Sequence, residues 1–183
     1  MHKKVIKLPG IEGAFTEEVF VFENSDRRRI KEIYLNWTKM DIELRQLGGR
    51  RPIFPIEIVE AIICIELNMF KVDNNRVYYD LYDPNSFQYN DLGRVNLKIA
   101  INETYRMQLN EKEIMDSDRI LFVKLYIERE ELGYEIIEFQ TRFIEEYLRF
   151  NRREISSRSS IRFSMTYREF MQIPHKVILN GFL

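Results

Sequence analysis

One eight-residue stretch limits the folds open to this chain more than any other. Residues 94–101 read Arg-Val-Asn-Leu-Lys-Ile-Ala-Ile, in which apolar side chains alternate with others at the two-residue period of a β-strand. Val95, Leu97 and Ile99 therefore share one face, whereas Asn96 and Lys98 share the other. A lysine in the middle of a sheet strand is costly to bury unless a carboxylate pairs with it.

The preceding strand-like stretch supplies such carboxylates. Residues 76–83 are predicted to form a strand, and they include Asp80 and Asp83. If the two strands are neighbours, either aspartate can pair with Lys98, and a carboxylate beside a lysine is typical of metal-dependent nuclease sites. An exposed edge strand with a solvated lysine explains the same pattern equally simply.

Length and composition favour one ordered domain over residues 1–183. The abundance of Ile, with 10 Tyr and 13 Phe, indicates a globular protein with substantial sheet. A formal net charge of −1 argues against a general polyanion binder. Basic residues outnumber acidic ones after Thr141, which fits a phosphate-binding rim, although an unevenly charged solvated surface is the commoner cause.

Cysteine content and hydropathy bear on where the protein works. Cys64 is the only cysteine, so no internal disulfide can form and a reducing compartment is expected. The first residues lack the apolar core of a secretion signal, and no segment is long enough to cross a bilayer. We therefore expect a soluble cytoplasmic protein without a membrane partner.

Two helices are predicted before these strands. The first begins after Ser25 or Asp26 and ends at Gly48-Gly49, with apolar positions at three- and four-residue steps: Ile30, Ile33, Tyr34, Trp37, Met40, Leu44 and Leu47. Arg50 and Arg51 follow, placed either to contact a phosphate backbone or to compensate the helix dipole. The second helix, residues 56–68, is apolar almost all round, so Glu60 either faces the surface or has a cationic or metal partner.

Further elements are predicted in the second half of the chain. Strands are predicted over residues 94–102, 119–128, 134–139 and 161–165. A helix beginning at Thr141 has five apolar residues assigned to its inner face, namely Phe143, Ile144, Tyr147, Leu148 and Phe150. A polar, basic loop is predicted over residues 152–160, and the apolar tail from Pro174 is expected to dock on the domain.

Taken in order, these pieces resemble the small type II restriction endonucleases of the PD-(D/E)xK superfamily, most of all those that cut interrupted GC-rich palindromes. The family has a glycine- and arginine-containing loop, a glutamate-bearing helix, a Tyr-Asp-Cys strand, a Gln-Val-Lys strand and a basic loop before an Arg-x-Ser-Ile strand. The corresponding residues are Gly48-Gly49-Arg50-Arg51, Pro55 with Glu60 and Cys64, Tyr79-Asp80, Asn96-Leu97-Lys98, and Ser157-Arg158 before Arg162-Phe163-Ser164-Met165. The order holds over residues 30–165, whereas each piece is only a few residues long.

The resemblance implies a fold and a chemistry. The fold is α/β (α+β), a restriction-endonuclease-like central mixed sheet flanked by helices. The activity is Mg²⁺-dependent hydrolysis of phosphodiester bonds in double-stranded DNA, with Asp80 as metal ligand, Lys98 as catalytic lysine and Glu60 as a further metal-binding carboxylate. A palindromic target implies a homodimer, because identical half-sites are contacted by identical surfaces.

The chain departs from the family at Asn96, where those enzymes carry Glu, Asp or Gln. An asparagine offers Mg²⁺ a neutral oxygen on a shorter side chain. Weak metal binding, a carboxylate contributed from elsewhere, such as Asp83, or an inactive variant would each account for it. Residues 102–108 also differ from the family's Ser-Phe-Gly-Pro-like loop.

DNA contacts are expected from arginines outside the catalytic strands. Side chains of this type bind phosphates and the edges of bases in the major groove. The candidates are Arg50, Arg51, Arg106, Arg152, Arg153, Arg158 and Arg162. Two other functions fit the sequence: a nuclease-fold protein that binds DNA without cutting it, and a viral or phage structural, matrix-like protein with an Ile- and Tyr-rich sheet.

Overall fold

A mixed β-sheet forms the centre of the protein, which is described by a computed structural model. The structure describes residues 1–9, 13–50, 52, 54–72, 78–86, 91–101, 106–128, 131–150 and 162–182. Within these ranges ten strands are present: β1 (His2–Leu8), β2 (Phe15–Val21), β3 (Phe70–Val72), β4 (Leu81–Tyr82), β5 (Arg94–Ile101), β6 (Arg106–Asn110), β7 (Arg119–Glu128), β8 (Glu131–Gln140), β9 (Arg162–Thr166) and β10 (His175–Phe182). The helices in the same ranges are α1 (Arg27–Gln46), α2 (Ile56–Leu67), α3 (Glu111–Asp116), α4 (Thr141–Phe150) and α5 (Tyr167–Phe170), with a short 3₁₀ turn (Asn24–Asp26) before α1.

Eight strands make the large sheet, in the order β1-β2-β3-β4-β5-β7-β8-β10 over the described part of the chain. Strands β5 and β7 run parallel, and the other neighbouring pairs run antiparallel. The parallel pair is possible because β6 and α3 lie in the connection between its strands, whereas a short hairpin joins only antiparallel strands. Strands β6 and β9 pair in a separate two-stranded sheet.

Helices cover both faces of the large sheet. One apolar cluster joins α1 and α2 to one face, and it includes Val95, Leu97 and Val123. The other joins α3, α4, α5 and β9 to the opposite face, where Ile120 and Phe122 contribute. Strand β7 is apolar on both sides because it is covered on both. The predicted α/β class with a central mixed sheet flanked by helices is therefore confirmed.

The alternation predicted for residues 94–102 is also confirmed. Val95 and Leu97 are buried in the cluster with α1 and α2, and Ile99 packs against it. Ala100 packs against the opposite cluster. Asn96 and Lys98 therefore occupy the face that α3 covers, as the two-residue period requires.

The strand predicted over residues 76–83 is much shorter. Among the described residues it is reduced to Leu81–Tyr82, and residues 76 and 77 lie outside the described part of the chain. The main chain pairs with β5 through Asp80, whose N–H donates to the Val95 carbonyl oxygen over 3.0 Å. Beyond that point the Asp80 side chain, not the main chain, accepts the N–H of Leu97, so the regular ladder stops there.

The positions predicted for α1 and α4 are correct, whereas some of the residues assigned to their buried faces are exposed. In α1, Ile30, Tyr34 and Trp37 are buried, whereas the predicted core positions Ile33, Met40 and Leu47 are exposed. These three lie seven residues apart along one edge of the helix, away from the buried stripe. In α4, Phe150 is 88% exposed, because it lies on the side of the helix opposite to the buried Leu148.

Candidate functional site

The predicted site residues meet where β4 pairs with β5. Asp80 immediately precedes β4, and its Oδ2 accepts a hydrogen bond of 2.7 Å from the main-chain N–H of Leu97. Leu97 lies between Asn96 and Lys98, so Asp80 is bonded to the Asn96-Leu97-Lys98 segment that carries the predicted catalytic lysine. This contact fixes the carboxylate beside the Asn-x-Lys strand.

Burial and neighbouring charges perturb Asp80 strongly. Its pKa is raised from the ordinary 3.8 to about 6, chiefly because burial penalises the ionised carboxylate. The hydrogen bond from Leu97 and the positive charge of Lys98 lower the pKa of Asp80, whereas the negative charges of Glu60 and Glu113 raise it. Asp80 therefore lies within electrostatic range of the predicted Lys98 and Glu60 and also of Glu113, which was not predicted.

Lys98 is paired with Glu113 of α3. Its Nζ lies 2.8 Å from Glu113 Oε1, and both side chains are largely buried. The expectation that Asp80 or Asp83 would be the direct partner is therefore wrong, although the Lys98 charge does act on Asp80. The physical reason is that α3 covers the Asn96 and Lys98 face of β5 and brings its own carboxylate to the ammonium group.

A capping box holds Glu113 in place at the start of α3. The Asn110 side chain accepts the N–H of Glu113 over 3.2 Å, and Glu113 Oε2 accepts the N–H of Asn110 over 2.9 Å. The sequence carried a signal for this arrangement in its Asn110-x-x-Glu113 spacing. Because one carboxylate oxygen binds the cap and the other binds Lys98, the position of Glu113 is fixed from two directions.

Glu60 also has a cationic partner. Its Oε2 lies 2.6 Å from Nζ of Lys71 on β3, and both side chains are less than one-fifth exposed. The sequence predicts that Glu60 either faces the surface or has a cationic or metal partner. In the structure its partner is a cation, the ammonium group of Lys71. Glu60 nevertheless contributes to the potential at Asp80, which places it at the margin of the same site.

Asn96 is almost completely buried, with 2% of its surface exposed. Its Nδ2 donates to the Tyr78 carbonyl oxygen over 3.0 Å. Its Oδ1 is buried without a hydrogen-bond partner among the described residues. A buried polar atom of this kind is costly and calls for an additional ligand, such as water or a cation.

Asp83 belongs to a different cluster. It pairs with the buried guanidinium of Arg119 over 2.7 Å, and its other oxygen accepts the N–H of Asn85. Arg119 also lies 3.2 Å from Asp91 and 3.1 Å from Glu138. The expected role of Asp83 as a substitute metal ligand is not favoured by this placement, because its carboxylate neutralises an otherwise uncompensated buried cation.

The structure describes the positions of only some of the arginines that are expected to contact DNA. Arg50 is exposed just beyond α1. Arg106 and Arg162 lie in the two-stranded sheet, where Arg162 is in register with Asn110, the cap of α3. The predicted residues Arg51, Arg152, Arg153 and Arg158 lie outside the described residues.

Asp80 and Asn96 are the residues of this region that could offer oxygen atoms to a hard cation such as Mg²⁺. Within the described ranges no group of three or more His, Cys, Asp or Glu side chains is arranged to hold a metal ion. Mg²⁺ does not require such a cage, because it keeps several waters and is usually held by one or two carboxylates. The desolvated Asp80 carboxylate and the unsatisfied Asn96 Oδ1 are oxygen donors that a cation would stabilise.

Comparison with known proteins found no matching family model, no matching curated protein and no matching solved structure. In the part of the chain that the structure describes, none of the helices has the length and apolar character needed to span a membrane.

Proposed function

We propose that this protein is a Mg²⁺-dependent, sequence-specific endonuclease that hydrolyses phosphodiester bonds in double-stranded DNA. One observation carries the proposal: the Asp80 carboxylate binds the N–H of Leu97, directly between Asn96 and Lys98. A desolvated carboxylate with a lysine beside it is an arrangement suited to a cation and a phosphate together. The likeness to small PD-(D/E)xK restriction endonucleases supports the same function.

Asp80 and Glu60 are the residues that would hold Mg²⁺, with Asn96 offering a neutral oxygen. When bound, Mg²⁺ would neutralise charge on the scissile phosphate and lower the pKa of water. The perturbed pKa of Asp80 supports this assignment, because a nearby cation stabilises the ionised carboxylate that burial and the neighbouring glutamates disfavour.

Lys98 would stabilise the negative charge that develops on the phosphate during attack by water. Its ammonium group is held by Glu113 and is largely shielded from solvent, so water screens it less than a fully hydrated lysine, while the Glu113 carboxylate offsets part of its charge. Loss of one charge-stabilising group of this kind typically lowers the rate by about two to three orders of magnitude.

DNA binding would depend on local arginines because the formal net charge of the chain is −1. Arg50, Arg106 and Arg162 are the candidates in the described ranges, and Arg162 lies in the strand paired with the segment that ends at Asn110. Two copies would bind a palindromic site as a homodimer. A cytoplasmic location suits a DNA-cutting enzyme with a single cysteine.

A second candidate is a DNA-binding protein with the same fold that does not cut. The observation that favours it is the absence of an acid at Asn96, together with two neighbouring cation–carboxylate pairs, Lys98–Glu113 and Glu60–Lys71. These pairs neutralise Lys98 and Glu60 without a metal ion. Binding to duplex DNA without hydrolysis would distinguish this candidate from the nuclease.

The test is incubation of plasmid DNA with Mg²⁺ and three proteins: the parent, Lys98→Ala and Lys112→Ala. Lys112 is a matched control because it belongs to α3 and bonds the Tyr78 hydroxyl, not Glu113. We expect discrete fragments from the parent and from the Lys112 variant and none from the Lys98 variant. Equal cleavage by the parent and the Lys98 variant would remove Lys98 from the mechanism.

A further inference from the structure

A cavity of about 290 Å³ lies between β2, α1 and α2, on the face of the large sheet that these two helices cover. Most of its wall is apolar and comes from Phe20, Phe22, Ile30, Ile33, Ile58 and Ala61. An apolar cavity of about 150 Å³ is large enough to hold benzene. This cavity therefore has room for an aromatic ring that carries a short aliphatic chain.

Three of the described residues that line the cavity carry a charge, and two of these charges have a carboxylate partner. Lys71 Nζ lies 2.6 Å from Glu60, and the amino group of Met1 pairs with Asp26. Glu57 is exposed, and its carboxylate makes no ion pair or hydrogen bond with another described residue. The charge left uncompensated where the cavity opens to solvent is therefore negative, which favours a cationic ligand.

Two aromatic rings in the wall favour the same sign of charge. Phe20 and Phe22 are two positions apart at the end of β2, and both line the cavity. The face of an aromatic ring attracts an ammonium group that lies within about 6 Å of the ring centre. Phe20 already makes one such contact, because Lys3 Nζ lies 5.2 Å from the centre of its ring.

We propose that this cavity binds a small organic ammonium compound, with its apolar body between Phe22, Ile30 and Ile58 and its ammonium group at Glu57. The proposal is independent of the proposed nuclease function. Lys71 joins the cavity to the candidate site, because its partner Glu60 contributes to the potential at Asp80. A ligand in the cavity would therefore lie one ion pair away from that site.

Three probes with one apolar body and different charges test the ligand class: phenylbutylamine, phenylbutanoate and neutral butylbenzene. Each is titrated into the full chain, without DNA or Mg²⁺, and followed by NMR of labelled isoleucine methyl groups. Ile30, Ile33 and Ile58 line the cavity, whereas Ile144 is buried on the opposite face of the sheet and serves as the internal control. These signals show both whether a probe binds and where it binds.

We expect phenylbutylamine to shift the signals of Ile30, Ile33 and Ile58 but not that of Ile144, at millimolar concentrations or below. It should bind about threefold or more tightly than phenylbutanoate. Absence of binding by all three probes, or shifts of Ile144 alone, would overturn the proposal. Tighter binding of phenylbutanoate than of phenylbutylamine would overturn the assignment of a cationic ligand.

Glu57→Gln tests the charge at the opening. We expect it to weaken phenylbutylamine binding by about two- to fivefold, the range for an exposed ion pair, and to leave butylbenzene binding unchanged. Glu43→Gln is the matched control, because Glu43 is an exposed glutamate of the neighbouring helix α1 that does not line the cavity. Glu57 also lies in the first turn of α2, where an acid favours the helix. A Glu57→Gln protein that keeps the parent's preference for phenylbutylamine over butylbenzene would limit Glu57 to that role and overturn the proposal.

Ala61→Leu tests the cavity itself. Leucine suits a helix as well as alanine nearly does, and its larger side chain would take up space in the cavity that the ligand needs. We expect the variant to lose phenylbutylamine binding while its Ile144 signal stays at the parent position, which shows that the fold is kept. A folded Ala61→Leu protein that binds phenylbutylamine as tightly as the parent would place the ligand elsewhere and overturn the proposal.

Discussion

Asp80 and Leu97 are joined by a hydrogen bond in which a side chain takes the place of the next main-chain rung between β4 and β5. The contact ends the regular ladder at Leu81 and leaves the Asp80 carboxylate buried beside Lys98 and within reach of the charges of two glutamates. The same bond therefore ends a strand and holds in place a carboxylate whose ionised form is disfavoured by burial. This combination is typical of functional sites, which are often less stable than the fold around them.

We predict that Asp80 makes stability fall as pH rises from about 4 to about 6. Its folded-state pKa is about 6 against an ordinary 3.8, so the folded protein holds this proton more tightly than the unfolded chain does. The stabilisation is complete below the ordinary value and is lost as pH rises through the folded value. Asp80→Asn should reduce this slope and raise the free energy of unfolding at pH 7 by up to ~3 kcal/mol.

Urea unfolding of the parent and Asp80→Asn between pH 4 and 7 checks this expectation. Asparagine keeps an oxygen that can accept the N–H of Leu97, so the variant isolates the charge. Glu146→Gln on the exposed side of α4 is the control and should follow the parent at every pH. Parallel pH profiles for the parent and the Asp80 variant would contradict the prediction.

Arg119 should be essential for stability. The residue is 6% exposed, and its guanidinium lies among the carboxylates of Asp83, Asp91 and Glu138. Arg119→Met would leave these carboxylates without their shared cation, which we expect to cost about 3–5 kcal/mol in the free energy of unfolding. Arg149→Met, which removes an exposed arginine, should change it by less than about 1 kcal/mol. Denaturant unfolding of both variants checks the difference, and equal losses would show that the buried cluster is not stabilising.

Gly93 should tolerate no side chain. It adopts a φ of +79°, and a Cβ atom there would lie 2.5 Å from the carbonyl oxygen of Asp83, whose main-chain N–H donates to the Gly93 carbonyl oxygen. Gly48 has a similar φ of +73° but open space around it. We expect Gly48→Ala to cost about 1–2 kcal/mol, from backbone strain alone, and Gly93→Ala to cost clearly more. Thermal unfolding of both alanine variants compares the two costs, and similar melting temperatures would refute the steric argument.

DNA affinity should fall as salt rises if arginines contact phosphates. Each phosphate contact adds about 0.9 to the slope of log affinity against log salt concentration. Arg50 is exposed at the end of α1, so Arg50→Ala should lower that slope by about one if it binds a phosphate. Fluorescence anisotropy with a labelled duplex at several salt concentrations measures it. An unchanged slope would assign Arg50 to the helix dipole, the other role open to it.

The sequence predicted those features that depend on local periodicity. The alternation of Val95 and Leu97 with Asn96 and Lys98 was sufficient to place each residue on the correct face of β5. The bounds predicted for β7, residues 119–128, match the structure because an apolar run with turn residues on both sides is a strong local signal.

Features that depend on contacts distant in sequence were missed. Glu113 pairs with a lysine fifteen positions earlier, and no local pattern indicates which carboxylate α3 brings to Lys98. The N-terminal hairpin of β1 and β2 was also missed, since β1 is exposed along most of its length and so carries no clear alternation. In α1 the buried Asp41, paired with Arg45, occupies the inner stripe where Met40 was expected.

The parallel pairing of β5 with β7 has a consequence for how the protein folds. Val95 pairs with Arg119, which is 24 positions later in the sequence, so the chain must close a long loop before these strands can meet. Helix α3 lies inside that connection and delivers Glu113 to Lys98. We therefore expect Lys98 to gain its partner late, in the same slow, long-range step that brings the second half of the sheet into place. A molecule trapped before that step would have its N-terminal hairpin but no Lys98–Glu113 pair.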